Sequence, residues 1–473
     1  MTPLAVDMDH TLLKTDLLME GVAAALLHRP LRFLAALPTI FLGRPAFKRA
    51  IAKAAPVDAE TLPMREDVLD FLRGENARGR EIHLYTAADA KAAQAVARRI
   101  GMFASVEGSE GRRNLKGRAK RDALRARFPN GFAYAGDSRA DLPIWRAASS
   151  AVLVGVGASI ARAVGKHGTP IEATLPSHRG LPDAWPRALR MHQWVKNLLL
   201  FAPLLLAQKF WDTHAVLQTI CGVGLLCLAA SAGYVFNDLA DLAHDRRHPT
   251  KRLRPLAAGE VSIGESLLFA PTAMALALVL GFALDPGFGI ALAIYLGANF
   301  LYTAGLKKLG FLDVFILGGF YTLRLVMGAE TAMVEHSQWL LTFSMFFFIS
   351  LSLAKRHVEL MRLMERDGVR AQGRGYRAED WPLTLTFGAA SGVAAVLILV
   401  LYLVNEAFPA ALYDWPMWLW TSPAVASLVI GRIWVKAHRK ELDDDPVVFG
   451  MRDPAILSFA AILFVAFALA SIR

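Results

Sequence analysis

Cysteine is almost absent. The 473 residues contain 2, Cys221 and Cys227, both inside one apolar run. That excludes a disulfide framework and a thiolate metal centre, and leaves packing as their role. The opening residues MTPLAVDMDHT have no basic region followed by an apolar one, so no cleavable leader is expected and the N-terminal part is expected in the cytoplasm. No internal repeat stands out, which argues against a repeat-built transporter with a sensor domain. Acidic residues are outnumbered, 41 against 52 Lys and Arg, for a net charge of +11. The surplus lies between apolar runs, a pattern of cytoplasmic membrane loops, so no nucleic-acid partner is expected. Apolar residues are abundant at 55%, with a mean hydropathy of +0.37.

The pattern predicts two domains of different class. Residues 1–165 alternate short apolar strands (Leu4–Val6, Ile82–Tyr85, Phe132–Ala135, Ala151–Val154) with amphipathic helices such as Ala88–Ile100 and Gly117–Arg127. Such alternation points to an α/β domain with a mostly parallel sheet. A helical cap insertion at about 17–60 interrupts it, broken by Pro30, Pro38 and Pro45. Its apolar face with basic flanks suits a membrane surface and equally an ordinary cap; the two are compatible. Residues 166–186, rich in Gly and Pro, read as a linker. Residues 187–473 read as an all-α polytopic membrane domain of about nine spans: 194–208, 216–236, 265–284, 288–304, 312–329, 338–354, 384–405, 417–435 and 455–471. Lys and Arg crowd the loops after the second, fourth, sixth and eighth, whereas the opposite side carries only Lys209 and Arg473. That asymmetry predicts an inner (cell) membrane protein with its N-terminal domain and acidic cluster on the cytoplasmic side.

In the first domain, Asp7 and Asp9 follow a strand, as a nucleophile and an acid/base partner would. Thr86 ends another strand, Lys116 and Lys120 open a helix, and Asp137 and Asp141 follow a third strand four residues apart. The set VDMDHT, LYT, NLKGRAK and AGDSRADL resembles the haloacid dehalogenase (HAD) superfamily of phosphatases over residues 1–165. The resemblance implies that Asp7 attacks phosphorus and Asp9 moves the proton. Thr86 and Lys120 hold the phosphoryl group, with Lys116 the rival lysine, and Asp7, Asp137 and the main chain at Asp9 hold Mg²⁺.

In the second domain, Asn237, Asp241 and Asp245 recur every fourth residue at the end of an apolar run, which stacks them on one helix face. Asp238 adds a carboxylate a quarter turn away, and the bases Arg246, Arg247, Lys251, Arg252 and Arg254 follow. Carboxylates beside phosphate-binding bases suit Mg²⁺ and a phosphorylated ligand. This motif and the apolar segments resemble the UbiA superfamily of intramembrane prenyltransferases over residues 187–473. Where members that ionise a prenyl diphosphate carry a second Asp-rich motif, this chain reads LAKRHVEL, offering Lys355, Arg356 and Glu359. With RMHQWVKN, which includes Trp194, Lys196 and Asn197, and DVFILGGFYTLRLVMGAE, which places Arg324 inside an apolar segment, the pattern resembles the decaprenyl-phosphate phosphoribosyltransferase branch. An intramembrane Arg has an anion as its expected partner; the structural alternative is Glu330.

The expectation is therefore a bifunctional, Mg²⁺-dependent membrane enzyme. It moves a phosphoribosyl group from phosphoribosyl diphosphate (PRPP) to a polyprenyl phosphate and removes the 5′-phosphate of the product. Oligomers are compatible with this. The alternative is an aromatic prenyltransferase using a polyprenyl diphosphate.

Overall fold

The computed structural model describes residues 1–110, 113–177, 182–365, 375–442 and 445–472; positions 178–181 of the expected linker and Arg473 lie outside them. Packing divides the chain into two units, Met1–Leu189 with Tyr234–Pro271, and Arg190–Gly233 with Thr272–Arg473.

The first unit contains a six-stranded sheet: β1 (Leu4–Val6), β2 (Ile82–Asp89), β3 (Ser105–Ser109), β4 (Ala133–Gly136), β5 (Ser150–Val154) and β6 (Ile171–Leu175). The order is β3-β2-β1-β4-β5-β6 and every pairing is parallel. Central strands read as unbroken apolar runs because both faces are covered. Leu4, Val6, Leu84, Val152 and Val154 pack in one core, and Ala5, Tyr134, Ala151 and Leu153 in another. The four expected strands are present. The two edge strands escaped the sequence reading, because SVEGS and IEATL keep polar residues on partly exposed strands. β6 lies inside the expected linker, so the sheet continues past residue 165. The helix Ala184–Ala188 begins in that stretch too. Chain order reverses between β1 and β4, the point in such sheets where ligands bind beyond the strand ends.

The insertion is helical, as Leu17–His28, Pro30–Ala36, the tighter turn Leu37–Leu42, and Arg44–Ala54. The Asp16 side chain caps the first of these by accepting from the Leu18 and Met19 amides.

Among the described residues, seven helices are long and apolar enough to cross a membrane: Thr213–Ala240, Ile263–Leu284, Pro286–Ala304, Leu312–Ala332, Gln338–Met364, Ala378–Ala407 and Pro454–Ser471. The 28 residues of the first reach about 42 Å at the usual rise, against roughly 30 Å of hydrocarbon. Two of the nine expected spans are not among these seven, for two reasons. The stretch 194–208 is a tight helical run, Met191–Leu200, followed by the short helix Phe201–Leu206. The stretch 417–435 ends in Thr421–His438, whose Arg432, Lys436 and His438 lower its apolarity. Close packing in the second unit depends on Gly388, where a Cβ would stand 2.1 Å from the Trp434 ring.

Candidate functional sites

β1 delivers Asp7 and β4 delivers Asp137 to the same end of the sheet. Asp7 Oδ2 lies 2.8 Å from Lys120 Nζ. Lys120 donates to the Tyr134 hydroxyl at 3.0 Å, and that hydroxyl reaches Asp141 Oδ1 at 3.0 Å and Asp7 Oδ2 at 3.3 Å. Ser138 fixes Asp141 through its amide and hydroxyl, and Thr11 donates to Asp137 Oδ1 at 3.4 Å. Oxygens of Asp7, Asp137 and Asp141 fall within 4.8 Å of one another, a hard-donor set that fits Mg²⁺. The Asp9 side chain is not in this group. Gly136 is required here: a Cβ would stand 2.9 Å from Asp141 Oδ2 and 2.7 Å from the Tyr134 ring.

Of the two rival lysines, Lys120 is buried against Asp7 and Lys116 is exposed. Thr86 is buried, and its hydroxyl accepts from the Ala88 amide. Asp9 accepts from the Leu17 amide. Burial, then the charges of Asp16 and Asp7, push its carboxyl up to about 8. A cavity of about 660 Å³ opens over Asp9, with Lys48, Arg49 and Lys53 of the insertion and Lys91 on its wall. Burial lowers the Lys48 ammonium, although Asp9 and Asp16 oppose it.

The Asn/Asp segment also belongs to the first unit. The Thr213–Ala240 helix stops at Ala240 and Leu242–Arg247 resumes. The α-type bonds continue through the break: Asp241 N donates to Asn237 O and Asp245 N to Asp241 O, which keeps the fourfold spacing in register. Asp238 is drawn into the group, since Arg254 Nη1 bridges Asp238 Oδ1 at 3.1 Å and Asp245 Oδ2 at 2.6 Å. Lys251 Nζ stands 4.0 Å from Asp245 Oδ1. That oxygen is buried without a hydrogen-bond donor. An orphaned carboxylate oxygen in an oxygen-rich cluster fits a hard cation. Arg246 and Arg247 each have an acidic partner in the same unit. Arg246 makes a buried two-point pair with Glu20 at 2.6 and 3.0 Å, and Arg247 pairs with Asp58.

The remaining candidates lie in the second unit. Arg324 is buried in the Leu312–Ala332 helix. It donates to Asn197 Oδ1 at 3.0 Å and to Phe320 O at 2.6 Å, and lies over the rings of Tyr295 and Tyr321. All of these partners are neutral. The carboxylate alternative, Glu330, pairs with His336 instead. Lys196 pairs with Asp445 at 2.7 Å and lies 5.9 Å from the Tyr321 ring. Burial alone would raise the Asp445 carboxyl; Lys196 and Lys355 outweigh it and hold it below the usual range. Trp194 is tied by its ring N–H to Ser231. Arg356 is 2% exposed and pairs with Asp313 at 2.9 Å and Glu359 at 2.7 Å, while Tyr376 donates to Asp313. Its charge is thus matched within the protein, leaving Lys355 as the partly exposed base of the pair.

Sequence reasoning missed Tyr134 and Asp445. Tyr134 looks like an ordinary strand residue, and Asp445 ends a run of three Asp that the reading passed over.

Residues 198–459 match the UbiA prenyltransferase family. An uncharacterized protein, y4nM, of Sinorhizobium fredii is 43% identical over 468 residues, 99% of this chain and 91% of its own. Nodulation protein NoeC of Azorhizobium caulinodans is 32% identical over 275 residues, 57% of this chain and 87% of its own. The decaprenyl-phosphate phosphoribosyltransferase of Mycolicibacterium smegmatis is 34% identical over 215 residues, 42% of this chain and 67% of its own.

Proposed function

Because this chain belongs to the UbiA prenyltransferase family and is an integral membrane protein, we propose that it is a lipid-directed phosphoribosyltransferase carrying a HAD-type phosphatase. The donor is PRPP, the acceptor a polyprenyl (decaprenyl-like) phosphate, and pyrophosphate leaves. The phosphatase then removes the 5′-phosphate from the lipid-linked product. Both sites face the cytoplasm.

The observation that carries the transferase reading is the state of the carboxylates around Arg356. Asp313 and Glu359 are engaged with that guanidinium. This argues against a second acidic metal site, the feature on which ionisation of a prenyl diphosphate depends. The similarity to decaprenyl-phosphate phosphoribosyltransferases points the same way. Asn237, Asp238, Asp241 and Asp245 would hold Mg²⁺, which would supply positive charge where pyrophosphate departs. Lys251 and Arg254 add fixed positive charge in the same segment. Arg324, Lys196 and Lys355 are assigned to the lipid phosphate, whose oxygen attacks the anomeric carbon as the bond to pyrophosphate breaks. Among the described residues the partners of Arg324 are neutral, and a buried cation of that kind favours an anion.

In the phosphatase, Asp7 attacks phosphorus and Asp9 gives its proton to the leaving 5′-oxygen. A carboxyl with its pKa near 8 is protonated at neutral pH and suited to that role. Lys120 and Thr86 hold the phosphoryl oxygens. Water then cleaves the aspartyl phosphate, with Asp9 accepting the proton. Asp7, Asp137 and Asp141 would hold Mg²⁺, which would supply positive charge beside the phosphoryl group.

The deciding experiment incubates purified protein in lipid with Mg²⁺, polyprenyl phosphate and either PRPP or prenyl diphosphate plus an aromatic acid. Pyrophosphate release with PRPP, and lipid-linked ribose by mass spectrometry, is the expected outcome. Turnover only with prenyl diphosphate would sink the reading.

A further inference from the structure

The insertion has a tip that neither reaction uses. Leu31 is 81% exposed, Phe41 94% and Leu42 77%, with Leu34 and Ile40 exposed beside them. Large apolar side chains clustered this way on one segment mark a surface that something covers. The charge pattern identifies what. Residues 21–57 contain no Asp or Glu, whereas Arg29, Arg32 and Arg44 bracket the apolar tip and are exposed. Apolar side chains ringed by arginine, with no acid nearby, match an anionic lipid surface. A second copy of the segment is a poor occupant, because it would bring the same arginines together. The chain is held in a bilayer by its own helices, which keeps the soluble part at high effective concentration near lipid.

We propose that Pro30–Gly43 inserts into the face of an anionic bilayer, with Leu31, Phe41 and Leu42 among the acyl chains and Arg29, Arg32 and Arg44 at the lipid phosphates. The local build suits this. Gly43, at φ +99, turns the chain sharply after Leu42, and Arg44–Ala54 then leads away. That same helix carries Lys48, Arg49 and Lys53 to the cavity over Asp9. An inserted tip therefore brings the mouth of a basic-walled pocket to the headgroup layer. Resting on the phosphatase reading above, the substrate class is a phosphomonoester borne on a lipid, taken from the membrane surface.

The test uses full-length protein in nanodiscs of equimolar phosphatidylcholine and phosphatidylglycerol. A nitroxide is placed at Phe41→Cys in a Cys221→Ser background, with the buried Cys227 retained. A label at Arg73→Cys, on an exposed helical site, is the control. Insertion is expected to make the label at 41 collide with oxygen in preference to a water-soluble nickel chelate, the reverse of the control. Preference for nickel, or shielding from both reagents, overturns the proposal, since the tip would then lie in water or under protein. A second arm compares wild type with Leu31→Ser/Phe41→Ser/Leu42→Ser. The variant is expected to hydrolyse p-nitrophenyl phosphate at the wild-type rate and a lipid-linked phosphomonoester severalfold more slowly. Equal loss on both substrates overturns the lipid-borne substrate class. If wild type hydrolyses neither, the phosphatase reading fails, and the collision data still decide insertion.

Discussion

Asp9 and Arg254 show how one side chain sets the chemistry of its neighbours. The folded-state pKa of Asp9, about 8, lies far above the usual value of roughly 3.9. The folded protein therefore binds an extra proton between those limits, and stability falls as pH rises from about 4 toward 8. Asp9→Asn is expected to flatten that slope in thermal melts of chelator-treated protein, and to stabilise more at the alkaline end than at the acid end. Phosphatase activity should vanish in the same variant. Arg254 holds Asp238 and Asp245 together; without it two buried carboxylates repel. Arg254→Ala should weaken PRPP turnover at least tenfold, the equivalent of about 1.4 kcal/mol of lost stabilisation. Pyrophosphate release assays check it; near-normal turnover would remove Arg254 from the site.

At the scale of elements, the insertion and the Asn/Asp segment are joined by Glu20 and Arg246, 4% and 5% exposed. Breaking a buried pair of this kind costs about 3–5 kcal/mol, because the surviving charge stays buried. Glu20→Ala should lower the melting temperature and reduce transferase turnover, although Glu20 lies in the insertion of the proposed phosphatase. A variant losing only phosphatase activity would contradict the link. Gly136→Ala should act on the other site alone, since its methyl would displace Asp141 and Tyr134. Elements were legible where one physical signal dominated. The buried strands β1 and β4 announced themselves through apolar runs that deliver Asp7 and Asp137. Edge strand β6 did not, because three of its five residues are exposed. The fourfold recurrence of Asn237, Asp241 and Asp245 gave the acidic face. The partner of Arg246 was illegible, because a pair 226 positions apart leaves no local pattern. Likewise the spacing in LAKRHVEL could not reveal that Asp313 claims Arg356; only the fold brings them together.

At the scale of the molecule, the two proposed chemistries predict separable losses. With PRPP and polyprenyl phosphate, Asp241→Ala should abolish every ribosylated lipid in the mass spectrum. Asp7→Asn should instead accumulate the lipid-linked ribose that still bears its 5′-phosphate. Identical spectra for Asp7→Asn and wild type would uncouple the phosphatase from this product.

The first unit is not one stretch of chain. Ala23, Ala184 and Ala188 share a core with Leu239, Leu256 and Val261, which are encoded after the start of the first long membrane helix. Cutting the gene at residue 189 would thus strip that core of 8 of its 11 buried residues and leave Ala23, Ala184 and Ala188 uncovered. Any cut or fusion placed at that junction must therefore supply new cover for those alanines.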